Sequence, residues 1–275
     1  TLSGTPTNAH VGTHNVVIKA TDAAGAFVNQ SFTITVSNTN DAPTIKSEAV
    51  TDVMAGDNYT YTLEASDIDL QDVLTLASTD LPDWLSFDPN IGLLKGQPDT
   101  STEISNTIKL SATDKDGAKA EQNYVLAVGQ NLLGTSEADV ITANIGSDII
   151  SAKDGNDIIY GYAGGDRISG DGGNDFIDGG ADGVEEYGYI PKDEAMYAGK
   201  VKNYEITTYK KSDADQFKAL KDLATQLGLS DVNLDSYASS QEFVVVKSKF
   251  GGTGSSGTDI LTNVENLSFQ DMFMP

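Results

Sequence analysis

Five aspartates, Asp139, Asp148, Asp157, Asp166 and Asp175, stand nine residues apart, and each is followed two positions later by an isoleucine: Ile141, Ile150, Ile159, Ile168 and Ile177. Glycine fills much of the space between them, as in GSDIISAKDGNDIIYGYAGGDRISGDGGNDFIDGG over 146–180. The spacing suits a half-turn of six loop residues and three strand residues, so that two half-turns make an 18-residue coil. Alternate strands then stack on the same wall, about 4.8 Å apart. The isoleucines point inward, and the two walls close on each other as a thin apolar core. Glycine supplies the left-handed or strained dihedrals that a short loop needs. Calcium binds oxygen at about 2.4 Å, which lets an ion sit between aspartates of adjacent coils.

Composition narrows the partners. The chain has 275 residues, enough for two or three modules, with 41 acidic side chains against 17 basic ones and a net charge of −24. Such a surface repels nucleic acid and anionic lipid. There is no cysteine, which excludes disulfides, thiolate catalysis and zinc–thiolate sites; a secreted protein without disulfides needs another staple, and bound calcium is one. No apolar run approaches the ~20 residues of a membrane span, so no membrane insertion is expected. Thr1 opens inside a pattern, without a signal peptide, so the chain is expected to be a monomeric piece of something longer.

That pattern is an internal repeat. GTPTNAHVGTHNVVIKATDAAGAFVNQSFTITV (4–36) aligns without a gap on GQPDTSTEISNTIKLSATDKDGAKAEQNYVLAV (96–128), at an offset of 92. Alternating apolar residues on both sides of ATDxxG predict a hairpin with one buried face. The complete copy spans 41–130 and also contains YTYTLEASDIDLQD and LPDWLSFDPNIGLLKGQP. On these residues it resembles the cadherin-like, immunoglobulin-like modules of bacterial surface proteins. Residues 1–40 are then the C-terminal part of a preceding module. Trp84 is expected to anchor the core, and Asp88-Pro89-Asn90 to form a turn. NTNDAP (38–43) resembles a cadherin calcium-binding linker, and the resemblance implies a site at the module tip made from Asn40, Asp41, Asp67, Asp69 and Asp114.

The nine-residue pattern resembles the repeats-in-toxin family, whose consensus is G-G-x-G-x-D-x-U-x, with U a large aliphatic residue. The resemblance implies a calcium-binding β-roll over 131–184 and a ligand scheme of aspartates with backbone carbonyls. Asp139 and Asp157 would share an ion with Thr135, Glu137, Ala152 and Asp154. Asp148 and Asp166 would share one with Asn144, Gly146, Gly161 and Ala163. Asp157 and Asp175 would share one with Lys153, Gly155, Gly170 and Gly172. Thr135, Asn144, Lys153, Tyr162 and Asp171 replace the second glycine, and Val184 takes the next aspartate position, where the series is expected to end.

Residues 185–275 resemble the segment that caps such rolls in proteins exported by type I secretion, with strand-like stretches around an amphipathic helix at about 212–229. Ser212 is the expected N-cap, Phe217, Leu220, Ala224 and Leu227 the apolar face, and Gly228 the stop. Tyr187, Tyr189, Tyr197, Tyr204, Tyr209, Phe217, Tyr237 and Phe243 gather around this excursion and suggest a recognition surface. No nucleophile motif, phosphate loop or zincin helix appears, so no enzyme is expected. The expected fold is therefore mainly β: cadherin/Ig-like sandwich modules, then a parallel β-roll with a β-rich, helix-containing cap. Three functions follow: a calcium-dependent adhesin segment of a large type I-secreted surface protein that binds a host- or neighbour-cell peptide or glycan; the non-catalytic carrier of a secreted hydrolase or toxin; or a structural extender.

Overall fold

The computed structural model describes residues 2–69, 72–102, 104–182, 192–198, 200–249 and 257–269. Both copies of the ATDxxG motif form antiparallel hairpins: Gly12–Thr21 pairs with Phe27–Val36, and Ser105–Thr113 with Lys119–Gly129. The turn chemistry explains the repeated letters. Asp22 Oδ1 accepts the amides of Ala24 and Ala26, both at 2.9 Å, and Asp114 Oδ1 those of Asp116 (2.9 Å) and Ala118 (2.8 Å). Gly25 and Gly117 supply φ of 89° and 93° at matching positions, a backbone region open to glycine at little cost.

The second hairpin belongs to a sandwich. Asp52–Met54 and Thr75–Thr79 flank it in a four-stranded sheet, and Tyr59–Thr62, Leu93–Gly96 and Leu85–Asp88 form a facing sheet of three. Leu94, Ile108, Leu110 and Leu126 fill the space between, and Trp84 packs edge-on against Tyr59 at 6.2 Å. Asp88 closes the expected turn by accepting the Asn90 amide at 2.9 Å. In the first hairpin Ile18 and Ile34, the counterparts of Leu110 and Leu126, are 46% and 36% exposed. Among the described residues no second sheet covers them.

Only Gln130 separates the last sandwich strand from the roll. Asn131–Leu133, Ile149–Ser151 and Arg167–Ser169 stack in parallel on one wall, and Val140–Thr142, Ile158–Tyr160 and Phe176–Asp178 on the other. Each wall advances by 18 residues, as Ile141↔Ile159↔Ile177 does. Ile150, Ile159, Ile168 and Ile177 are at most 1% exposed and meet as one core.

The cap continues both walls. Glu194–Tyr197 and Asn266–Phe269 extend the first in parallel; Thr258–Thr262 extends the second, followed by antiparallel Glu242–Ser248 and Tyr204–Lys210. The helix runs Ala214–Leu227. Its N-cap is Asp213 rather than Ser212, because the Asp213 carboxylate accepts the amides of Asp215 and Gln216. Gly228 ends it at φ 83°, as expected. Phe217, Leu220 and Ala224 bury against Phe176, Phe243, Val245 and Ile260, so the helix packs on its own domain. Its last carbonyl, on Leu227, accepts Asn156 Nδ2 of the roll at 2.9 Å.

Candidate calcium centres

One hydrogen bond recurs along both walls of the roll. The amide of each motif aspartate donates to Oδ1 of the aspartate one coil on: Asp139 to Asp157 (2.8 Å), Asp148 to Asp166 (2.8 Å) and Asp157 to Asp175 (2.9 Å). The nine-residue period thus places a carboxylate under each carboxylate, inside the coil. Asp148, Asp157, Asp166 and Asp175 are at most 1% exposed. Asp157 Oδ2, Asp166 Oδ2 and Asp175 Oδ2 are buried without a hydrogen-bond partner.

Burying carboxylates in a column favours their neutral form. Burial raises the pKa of Asp148 and Asp157, with the nearby charges of Asp52 and of Asp139 adding respectively. Asp166 is pushed up to about 8 by burial, with Asp193 and Asp148 adding repulsion. Asp175 and Asp259 are both raised by burial, and each carboxylate lies against the other. A divalent cation would remove this cost. Oxygen-only donors, buried and unsatisfied, suit a hard ion such as calcium.

The loops run close to these aspartates. A Cβ on Gly155 would lie 2.5 Å from the Glu137 oxygen and 2.8 Å from Asp157 Oδ1, which places those two oxygens side by side. Cβ atoms on Gly161 and Gly170 would collide with Asp166 Oδ2 and Asp175 Oδ2, and one on Gly164 would lie 2.6 Å from the Gly146 oxygen. Lys153, Tyr162 and Asp171 adopt φ of 75°, 73° and 61°, so the second-glycine position keeps its left-handed backbone without glycine. The carbonyls of Lys153 and Asn144 accept the amides of Gly172 (2.7 Å) and Ala163 (3.4 Å) on the next coil; each retains a second lone pair for an ion. Ala152 is fully buried, and Asp154 bridges to Gly172 in parallel register.

The first coil differs. Thr135 donates its amide (2.6 Å) and hydroxyl (2.9 Å) to Asp139 Oδ2, and Asn144 its amide (3.0 Å) to Asp148 Oδ2. Side chains and amides there satisfy oxygens that the later coils leave to an ion. Below the roll, Asp52 Oδ2 accepts the Ser147 amide at 2.9 Å and ties the first coil to the sandwich.

The ladder of amide-to-carboxylate bonds continues past position 184, where the ion sites are expected to end. Val184 itself lies outside the described residues, but Asp166 donates its amide to Asp193 Oδ1 (2.8 Å) and Asp175 to Asp259 Oδ1 (3.1 Å). Asp193 in turn donates its amide to Glu265 Oε2 at 3.1 Å. The consecutive nine-residue run stops before these three, although Asp193 and Glu265 still fall 54 and 126 residues from Asp139, both multiples of nine. The offset to an apolar partner marks all three, since Ala195, Leu267 and Leu261 follow Asp193, Glu265 and Asp259 by two positions.

At the module tip all five expected residues converge. Asn40 Nδ2 donates to Asp114 Oδ2 (2.7 Å), the Asp41 amide to Asp69 Oδ2 (2.7 Å), and Asn8 Nδ2 reaches Asp41 (2.8 Å) and Asp69 (3.3 Å). Asp72, missed in the sequence, joins Asp67 and Asp69 with carboxylate oxygens within 4.8 Å of one another; the Asp67-x-Asp69-x-x-Asp72 spacing was the available signal. The Lys115 ammonium donates a hydrogen bond to Asp72, and this bond is the largest influence raising the pKa of Lys115. That ammonium already supplies part of the positive charge a cation would bring.

The expected aromatic surface is largely interior. Tyr197, Tyr204, Phe217 and Phe243 are at most 9% exposed, and Tyr197 stacks on Phe269 at 5.4 Å. Tyr209 and Tyr237 pack against the core of the helix, while Tyr187 and Tyr189 lie outside the described residues. These rings close the end of the roll.

Comparison with known proteins matches two parts of the chain. Residues 1–37 and 42–129 match the family described as Putative Ig domain. Residues 130–159 and 151–183 match the RTX calcium-binding nonapeptide repeat. No curated protein matches the chain in sequence. Among solved structures, it is similar to PcdhgB3 EC1-4 at 17% identity, covering 46% of this chain and 34% of that one, with a TM-score of 0.37. Drosophila N-cadherin EC1-4 aligns at 12% identity over 94% of this chain and 58% of that one (TM-score 0.31). The endo-fucoidan hydrolase MfFcnA4 aligns at 13% identity over 97% and 35% (TM-score 0.30). The chain thus spans less than two thirds of each of these proteins. Among the described residues no helix is long and apolar enough to cross a membrane. The chain joins Ig-like β modules to RTX calcium-binding repeats, a combination that fits an extracellular calcium-binding segment.

Proposed function

We propose that the chain is a calcium-ordered segment of a type I-secreted surface adhesin, in which sandwich modules act as extenders and the roll with its cap presents a calcium-dependent binding surface for a peptide or glycan. One observation carries the calcium part: a column of buried carboxylates with orphaned oxygens, costly without a cation. The tandem Ig-like copies support the extender role. For the ligand, an open groove of about 520 Å³ beside the cap sheet is lined by Ile206, Thr208, Gln241, Val244, Asn263 and Leu267, a mixture of amide, hydroxyl and apolar surface. No catalytic role is proposed.

The test is far-UV circular dichroism of the chain in millimolar calcium and in chelator, coupled to a peptide and glycan array under both conditions. Strand signal should rise with calcium, and array hits should require it. Unchanged strand signal would refute calcium ordering. Folded protein on an empty array would refute the adhesin and leave a carrier or spacer.

A further inference from the structure

Asp193 lies 27 residues beyond Asp166, past the break in the nine-residue series at Val184 and outside the matched repeats. Yet the structure handles it as a repeat aspartate. The Asp166 amide donates to Asp193 Oδ1 at 2.8 Å, the length of the Asp148 bond to Asp166. Arg167 and Ile168 pair in parallel with Glu194 and Ala195, so Ala195, fully buried, takes the inward place that isoleucine holds below it. Asp193 is itself 0% exposed.

Around the second carboxylate oxygen of Asp166 other oxygens crowd closely. Asp166 Oδ2, fully buried, has no hydrogen-bond partner. A Cβ on Gly161 would strike both this atom and the Gly179 carbonyl oxygen, so the two oxygens face one small space. A Cβ on Gly179 would lie 2.5 Å from Asp193 Oδ2 and would also strike the Asn263 carbonyl oxygen. The local donors are carboxylates and carbonyls, the set that a hard divalent ion takes. Tyr162 and Gly164, with φ of 73° and 134°, repeat the backbone of Lys153 and Gly155 one half-turn earlier.

We infer that Asp166 and Asp193, with the Gly179 carbonyl, hold a further calcium ion, so that a residue of the cap closes the ion column of the repeats. This rests on calcium binding by the roll proposed above. The ion would join the last repeat coil to the cap strand Glu194–Tyr197 and make cap docking calcium-dependent.

Two measurements decide it. Native mass spectrometry of the full chain in calcium should find one ion fewer in Asp193→Asn than in the unsubstituted chain. Anomalous scattering from calcium-grown crystals of the unsubstituted chain should place density between the Asp166 and Asp193 carboxylates, and this needs no variant that folds. Equal stoichiometry in the two proteins would overturn the inference. So would density between Asp157 and Asp175 with none at Asp193. A chain that takes up no calcium at all would bring down the proposed function and this inference together.

Discussion

Residue by residue, the roll depends on where each carboxylate sits in the column. Asp157 lies between two carboxylate neighbours, since Asp139 donates to it and it donates to Asp175. Asp148 has a carboxylate neighbour on one side only; on the other it accepts the Gln130 amide at 2.5 Å. Asp157→Ala should therefore lower calcium stoichiometry more than Asp148→Ala in calorimetric titration. Equal losses would contradict ions shared between coils. Asp157 is not alone in this, because Asp193 and Asp259 give Asp166 and Asp175 a second carboxylate each. The period of the repeat was enough to place Asp157. It also reaches Asp193, six steps of nine beyond Asp139, but the 18-residue coil would set that residue above Asp175, whereas the intervening segment sets it above Asp166.

At the scale of elements, the helix shows how local signals and docking combine. Its amphipathic face and Gly228 are readable from side-chain spacing, and Phe217, Leu220 and Ala224 bury as that spacing predicts. The cap residue was misplaced by one position because Ser212 and Asp213 are both competent caps. The structure chooses Asp213, which accepts amides from Asp215 and Gln216 at 3.1 Å each. Asp213→Ala should cost about 1 kcal/mol, lowering the melting temperature of the calcium-loaded chain by roughly 2–4 °C. Ser212→Ala should leave it unchanged in the same scan. Docking to the roll was not readable: the Asn156 side chain meets the Leu227 carbonyl across 71 residues.

Across the whole molecule, 24 excess negative charges and a column of buried acids make the metal-free fold sensitive to pH. Asp166 has a folded value near 8 against an ordinary value of 3.8. A carboxyl whose pKa is raised by folding contributes stability that is full below its unfolded value and is lost as pH rises through its folded value. Asp148, Asp157 and Asp175 shift in the same direction. Asp99, Asp114 and Glu121 shift the opposite way, so their contribution falls away only in acid. In chelator the melting temperature should therefore decrease between pH 5 and pH 8, a range inside the interval from 3.8 to about 8 for Asp166. Bound calcium keeps the carboxylates ionised, so the decrease should vanish when it is present. A metal-free melt that rises over this range would contradict the buried column.

The sequence by itself determined the repeating parts: the hairpins around ATDxxG, the 18-residue coil and its inward isoleucines. Each is a local pattern, in which the same short segment meets the same neighbours at a constant offset. Tertiary structure decided what the offset does not carry. It joined Asp72 to the module tip, turned the aromatic rings of the cap inward, and set Asp193 and Asp259 above Asp166 and Asp175. The separations of the last two pairs, 27 and 84 residues, are not the 18-residue step of the coil, so only the folded walls bring these groups together.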